Sequence, residues 1–165
     1  MKINSLQSQF VGLLCAVALI AGVTSGFTAE TDAGTNKPAS TASPGSTPKS
    51  AAEKAATSAA QAWLALIDDG NYAKSWQEAS AFFQGAVTQK AWEAAMESVR
   101  KPLGKQVSRD VKTARSVTTL PGAPDGQYVV MQFDASFTGK KSAIETVTFK
   151  LEKDGKWKAT GYFIK

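Results

Sequence analysis

The spacing of hydrophobic positions changes twice along this chain. From Phe10 to Val23 they run for fourteen residues without a charge. From Ala52 to Leu103 they return every three or four residues, and after Lys105 they alternate with polar ones. The first stretch follows Lys2, precedes any acidic residue and ends in small residues at Thr24, Ser25 and Gly26. A bilayer span needs about twenty apolar residues, so residues 1–26 read as a secretory signal peptide. A retained anchor is the alternative. The product is then periplasmic or secreted, with no stable membrane insertion once the signal is removed.

Residues 27–49 are rich in Ser, Thr, Ala and Gly, with Pro38, Pro44 and Pro48. Such a segment buries too little apolar surface to offset the entropy of ordering it, so a disordered tether is expected. Residues 50–165 are long enough for a single domain. Ser50 and Glu53 have the spacing of a capping box. Ala52, Ala56, Ala59, Trp63, Leu66 and Ile67 follow as a helical stripe, and Asp68, Asp69, Gly70 and Asn71 end it. A second helix is expected over 72–83. A third follows Thr88 as cap, with Trp92, Ala95, Met96, Val99 and Leu103 on one side, and closes at Pro102 and Gly104.

Beyond Lys105 the period of two predicts strands. The first covers about 105–120, with Val107, Arg109, Val111, Arg115 and Val117 in one phase. The second turns Val129, Met131, Phe133, Ala135 and Phe137 to one face, and the third Val147, Phe149 and Leu151. Asp154-Gly155 predicts a tight hairpin. The fourth strand then offers Trp157, Ala159, Gly161 and Phe163 in one phase, with Gly161 marking a bulge or a close approach. Three helices followed by a four-stranded antiparallel meander predict an α+β sandwich, its helices on one sheet face.

Composition narrows the chemistry. There is no histidine, and the one cysteine, Cys15, lies in the leader. A mature product without thiol or imidazole has no disulfide, no histidine-based relay and no ordinary zinc site. No cofactor or metal is expected. The formal net charge of +5 is modest, so nucleic acid is not an expected partner.

Several runs resemble a bacterial family known only as domain of unknown function 4019. They are Trp63-Leu-Ala-Leu-Ile-Asp-Asp-Gly-Asn-Tyr72 with Ser75-Trp76, Arg100-Lys-Pro-Leu-Gly104 and Pro121-Gly-Ala-Pro-Asp-Gly-Gln-Tyr128. Glu145-Thr-Val147, Asp154-Gly-Lys-Trp157 and Gly161-Tyr162 complete the set. The resemblance implies an exported protein with an NTF2-like or cystatin-like α+β cone. It brings no assigned activity and no catalytic residue.

The residues that could carry function are then few. Trp63, Trp92 and Trp157 fall on apolar phases and read as core, whereas Trp76 is the one expected to be partly exposed. Asp68 and Asp69 read as helix-end turn residues, because neighbours on a helix point about 100° apart. Glu145 shares the inward phase of Val147 and Phe149, where an unpaired carboxylate is costly. Arg109 or Arg115, in the phase of Val107, Val111 and Val117, is placed to pair with it there; at a strand end it reaches water instead. Inside a cone, beside Tyr128 or Tyr162, it is a candidate ligand group or a base of raised pKa. The bases Arg100, Lys101, Lys105, Arg109, Lys112 and Arg115 read as protection of an edge strand. Tyr128, Val130, Ile144, Tyr162 and Ile164 share the other sheet face, an apolar surface for a partner or a homodimer. The expectation is an exported binding domain whose partner is an envelope protein or a small ligand. A ligand-transforming pocket and a structural homodimer are the alternatives.

Overall fold

The computed structural model describes residues 50–165; the signal, tether and Cys15 readings lie outside the described residues. The elements are α1 (Ala51–Asp68), α2 (Tyr72–Gln77), α3 (Ala81–Ala86) and α4 (Gln89–Arg100), followed by a 3-10 turn, Lys101–Leu103. Four strands follow: β1 (Gln106–Val117), β2 (Tyr128–Phe137), β3 (Lys140–Leu151) and β4 (Trp157–Ile164). The sheet is an antiparallel meander in the order β1-β2-β3-β4, with the helices packed on one face. This is the expected α+β architecture.

The capping box at Ser50 forms in both directions: the Ser50 hydroxyl accepts from the Glu53 N–H, and the Glu53 carboxylate accepts from the Ser50 N–H. Glu53 also accepts from the backbone N–H of Ser116 at 3.1 Å, tying the start of α1 to the edge strand β1. These bonds, led by the one from Ser50, hold the Glu53 carboxyl below the usual glutamate range.

The expected second helix over 72–83 is two short helices. Ser80 breaks it, because a serine at that point caps a new turn by accepting from Phe83 N–H. Its own N–H donates to the Ala159 carbonyl at 2.8 Å, docking the break onto β4. The buried stripe of α1 is also rotated from the expected one. Ala56, Ala60, Trp63, Leu64 and Ile67 are buried, while Ala59 and Leu66 only border the core.

β2 follows its predicted phase, with Val129, Met131, Phe133, Ala135 and Phe137 all buried. β1 and β4 do not, because irregularities in their pairing shift the alternation. In β1, extra residues at Val107 and Lys112 interrupt the register with β2. Val107, expected inward, is 64% exposed, and Arg115 pairs with Val130 on the outer face rather than sharing a face with Arg109. In β4, Thr160 is inserted between Ala159, opposite Phe149, and Gly161, opposite Thr148. Beyond it the phase reverses, so Tyr162 and Ile164 turn inward and Phe163 turns out. This corrects both the inward placement of Phe163 and the outer placement of Tyr162 and Ile164. Val130 and Ile144 stay on the outer face as expected.

Candidate functional site

One charged cluster is buried against the inner sheet face, and both helix ends deliver residues to it. Ala60, Leu64 and Asp68 follow one another at four-residue spacing, so the stripe that buries α1 ends on a carboxylate. Trp92, Met96 and Arg100 repeat this on α4, ending on a guanidinium. The 3-10 turn holds that end in place, with Gly139 N–H donating to the Leu103 carbonyl at 2.8 Å. A Cβ at Gly139 would fall 2.6 Å from the Pro102 oxygen, so only glycine lets the β2–β3 turn come this close. From the sheet, Arg109 on β1, Glu145 on β3 and Tyr162 on β4 complete the cluster.

The bonding is cyclic. Arg109 donates from Nε to Glu145 Oε2 at 2.5 Å. It also donates from Nη1 and Nη2 to the two Asp68 oxygens at 2.6 and 2.9 Å. Arg100 donates to Asp68 Oδ1 and, at 3.0 Å, to Glu145 Oε1. The Tyr162 hydroxyl donates to Glu145 Oε1 at 2.7 Å and accepts from Arg100 Nη1 at 3.3 Å. The Arg100 guanidinium lies 4.5 Å from the centre of the Phe137 ring, a cation–π contact. Glu145 is 0%, Arg100 4% and Arg109 10% exposed, so only Asp68, at 19%, meets water appreciably.

Two guanidiniums face two carboxylates, and their charges cancel. The two carboxylates have no oxygen left unbonded, and no buried side-chain polar atom among the described residues lacks a partner. Burial opposes the charge on Arg109, but its bonds to Asp68 and Glu145 outweigh that and hold its pKa above the ordinary arginine value. Burial, reinforced by the negative charge of Glu145, pushes the Tyr162 phenol well above the usual tyrosine range. A phenol so held donates a hydrogen bond and does not serve as a base near neutral pH. The arrangement joins α1, α4, β1, β3 and β4.

A family model described as a protein of unknown function, DUF4019, matches residues 59–162. The chain belongs to the DUF4019 family. No curated protein matches it. All five members of the cluster lie within the matched residues of this DUF4019 domain.

Of the residues singled out in the sequence, the DUF4019 domain brings together Glu145, Tyr162 and Arg109. The expectation that Glu145 reaches water at a strand end is overturned, since it is fully buried. Asp68 is corrected from a turn residue to a partner of both arginines, and Arg100 from edge protection to a buried ion. Tyr128 does not join them. It pairs with Lys150, five residues along β3 from Glu145, about 17 Å, and its hydroxyl donates to the Pro124 carbonyl. Trp76 is partly buried against the core, its indole N–H donating to the Val87 carbonyl at 2.7 Å. Trp63 and Trp92 are core residues, and Trp157 borders the core.

Two shallow surface grooves lie near the β3–β4 turn, lined by residues that include Asp125, Gly126, Leu151, Glu152 and Lys153, and neither reaches the cluster. Among the described residues no three acidic, cysteine or histidine side chains converge as metal ligands. No described helix is long and apolar enough to cross a membrane.

Proposed function

We propose that this chain is an exported domain of the cell envelope that acts by binding a partner at its surface, without catalysis of its own. The observation that carries the reading is the closed pairing of Glu145. Both of its oxygens already accept from Arg100, Arg109 and Tyr162, so the residue best suited to acid–base work has no free valence for a substrate. A ligand entering there must first break charge-assisted bonds, each costing about 1.5–3 kcal/mol. The uncharged leader from Phe10 to Val23 supports export. The outer face of the sheet, which carries Val130, Ile144 and a 41% exposed Phe163, supports surface binding.

Two measurements test this. N-terminal sequencing of protein purified from fractionated cells is expected to find a new terminus near residues 25–30 in the envelope or secreted fraction; an intact Met1 in the cytoplasm overturns export. Native mass spectrometry of the purified protein is expected to show no retained small molecule. A compound carried by the wild type and lost in a folded Tyr162→Phe variant overturns the non-catalytic reading in favour of a pocket at Glu145.

A further inference from the structure

The β2–β3 turn and the 3-10 turn meet in a built junction at one end of the sheet. Thr138 N–H donates to the Lys105 carbonyl at 2.9 Å, and Lys105 N–H donates back to Thr138 Oγ1 at 3.0 Å. Gly104 has a φ of 73°, and a Cβ there would collide with Thr138 Oγ1. With Gly139, glycine is therefore required on both sides of the contact. The junction gathers Lys101, Lys105, Lys140 and Lys141, all exposed. None of the four forms an ion pair among the described residues.

No acidic residue occurs from Ser98 to Arg109 or from Ala135 to Ile144. Asp68 and Glu145 are taken up by Arg100 and Arg109, and Asp134 is held by Lys112 at 3.0 Å. Asp69, next to Asp68, and Glu97, a helical turn before Lys101, border the junction on the helix side. Asp110 stands about 15 Å from Lys105 along β1, beyond the screening length of about 8 Å at physiological salt. The junction is net basic. Protection of an edge strand does not account for this, because Lys140 and Lys141 open β3, an interior strand, and Lys101 belongs to the 3-10 turn. A hydrophobic residue stands beside them. Val107 is the extra residue of the first β1 bulge, and at 64% it is the most exposed large hydrophobic residue of those described. A bulge re-aims a side chain, and this one turns a valine into water next to Lys105.

We propose that this end of the domain docks reversibly on an anionic lipid bilayer, its lysines against the lipid phosphates and Val107 entering the headgroup layer. Lysine is a hydrated point charge on a flexible stem, suited to a plane of phosphates rather than to one fixed anion. Basic residues beside an apolar one hold a peripheral domain at such a surface. A protein segment has less to hold here. The two described grooves lie at the opposite end of the sheet, beside the β3–β4 turn, and the bulge interrupts the β1 edge that an added strand would extend.

The docking rests on the surface-binding reading above and names its partner, but its test is separate. The mature protein is expected to co-sediment with phosphatidylcholine vesicles containing about a quarter phosphatidylglycerol, less so as salt is added, and not with phosphatidylcholine alone. Each lysine at an anionic surface is worth about fivefold in partition, so Lys140→Gln with Lys141→Gln is expected to lower binding about twentyfold. Lys153→Gln with Lys156→Gln makes the same charge change in the β3–β4 turn and is expected to lower it less than about twofold. Val107→Thr keeps the branched shape and is expected to lower it about threefold. All these side chains are exposed, so each variant is expected to keep the wild-type melting temperature. No binding to the anionic vesicles, or equal binding to both kinds, overturns the proposal. An equal loss from the Lys153 and Lys156 pair overturns it too, since net charge alone would then suffice. Val107→Thr binding as wild type, with vesicles fully displaced by soluble polyphosphate, assigns the lysines to a free polyanion and also overturns it. Each of these failures leaves the surface-binding reading standing, which only a retained small molecule lost in Tyr162→Phe overturns, so the two are distinguishable.

Discussion

The interior of this domain has two halves that are held together differently. Around Trp63 the aromatic rings of Trp92, Phe149 and Tyr162 lie at centroid distances of 6.0 to 6.1 Å, and Phe83 packs edge-on to Trp92 at 5.0 Å. Beside them the Asp68, Arg100, Arg109 and Glu145 cluster is ionic. Apolar packing is a sum of many small contacts, so trimming one side chain costs in proportion to what is removed. A buried ion cluster stabilises only while its charges cancel, and removing one member leaves another unpaired in a poorly solvated site. Tyr162 belongs to both halves: its ring packs on Trp63 and Trp92, and its hydroxyl donates to Glu145.

The sharpest way to break the ionic half is Glu145→Ala, which leaves two guanidiniums facing one carboxylate. A loss of about 3–5 kcal/mol in urea unfolding is expected; a loss below about 1 kcal/mol would mean that water entering beside Asp68 solvates the arginines. Tyr162→Phe keeps the ring and removes one bond to a charged acceptor, for an expected loss of about 1.5–3 kcal/mol.

The same variant changes the alkaline limb. Because the folded phenol has a raised pKa, its contribution is complete below the unfolded tyrosine value of about 10. It is lost as pH rises beyond that, where the unfolded chain binds fewer protons than the folded one. Wild-type stability is therefore expected to fall more steeply above about pH 10 than that of Tyr162→Phe, and parallel profiles would contradict the role assigned to burial.

In the aromatic half, Phe149→Leu is expected to cost only about 1 kcal/mol, since a hydrophobic residue of similar size partly refills the space. The smallest effect is expected at Glu53, outside both halves. Its pKa is lowered, so its contribution is present above the ordinary glutamate value and is lost as pH falls towards the depressed one. Glu53→Gln is expected to flatten the acid limb slightly; an unchanged acid limb would remove Glu53 from the account.

The ionic half was partly legible in the sequence. Glu145 stands in the phase of Val147 and Phe149, and Arg109 in that of Val111, so the period of two alone turns both inward. Asp68 and Arg100 were missed, although each sits where an apolar stripe of period four predicts a buried residue. Extending the Ala60–Leu64 and Trp92–Met96 stripes by one step reaches both of them. The unbroken alternation of β4 turns Tyr162 to the outer face; the inserted Thr160 brings it in beside Glu145, because a single extra residue reverses every later side chain in a strand.

Local chemistry in the sequence determined the element types, the Ser50 and Thr88 caps, the turn at Asp154-Gly155 and the sheet order. Capping, period and turn preference act over a few residues, and the neighbours alone specify them. Only the tertiary structure decided the two bulges of β1, the bulge of β4 and the meeting of Asp68, Arg100, Arg109, Glu145 and Tyr162. Register depends on which residues of two strands pair, and a buried charge depends on partners brought from far along the chain. Glu145 and Arg100 stand 45 residues apart in sequence, and no local preference relates them.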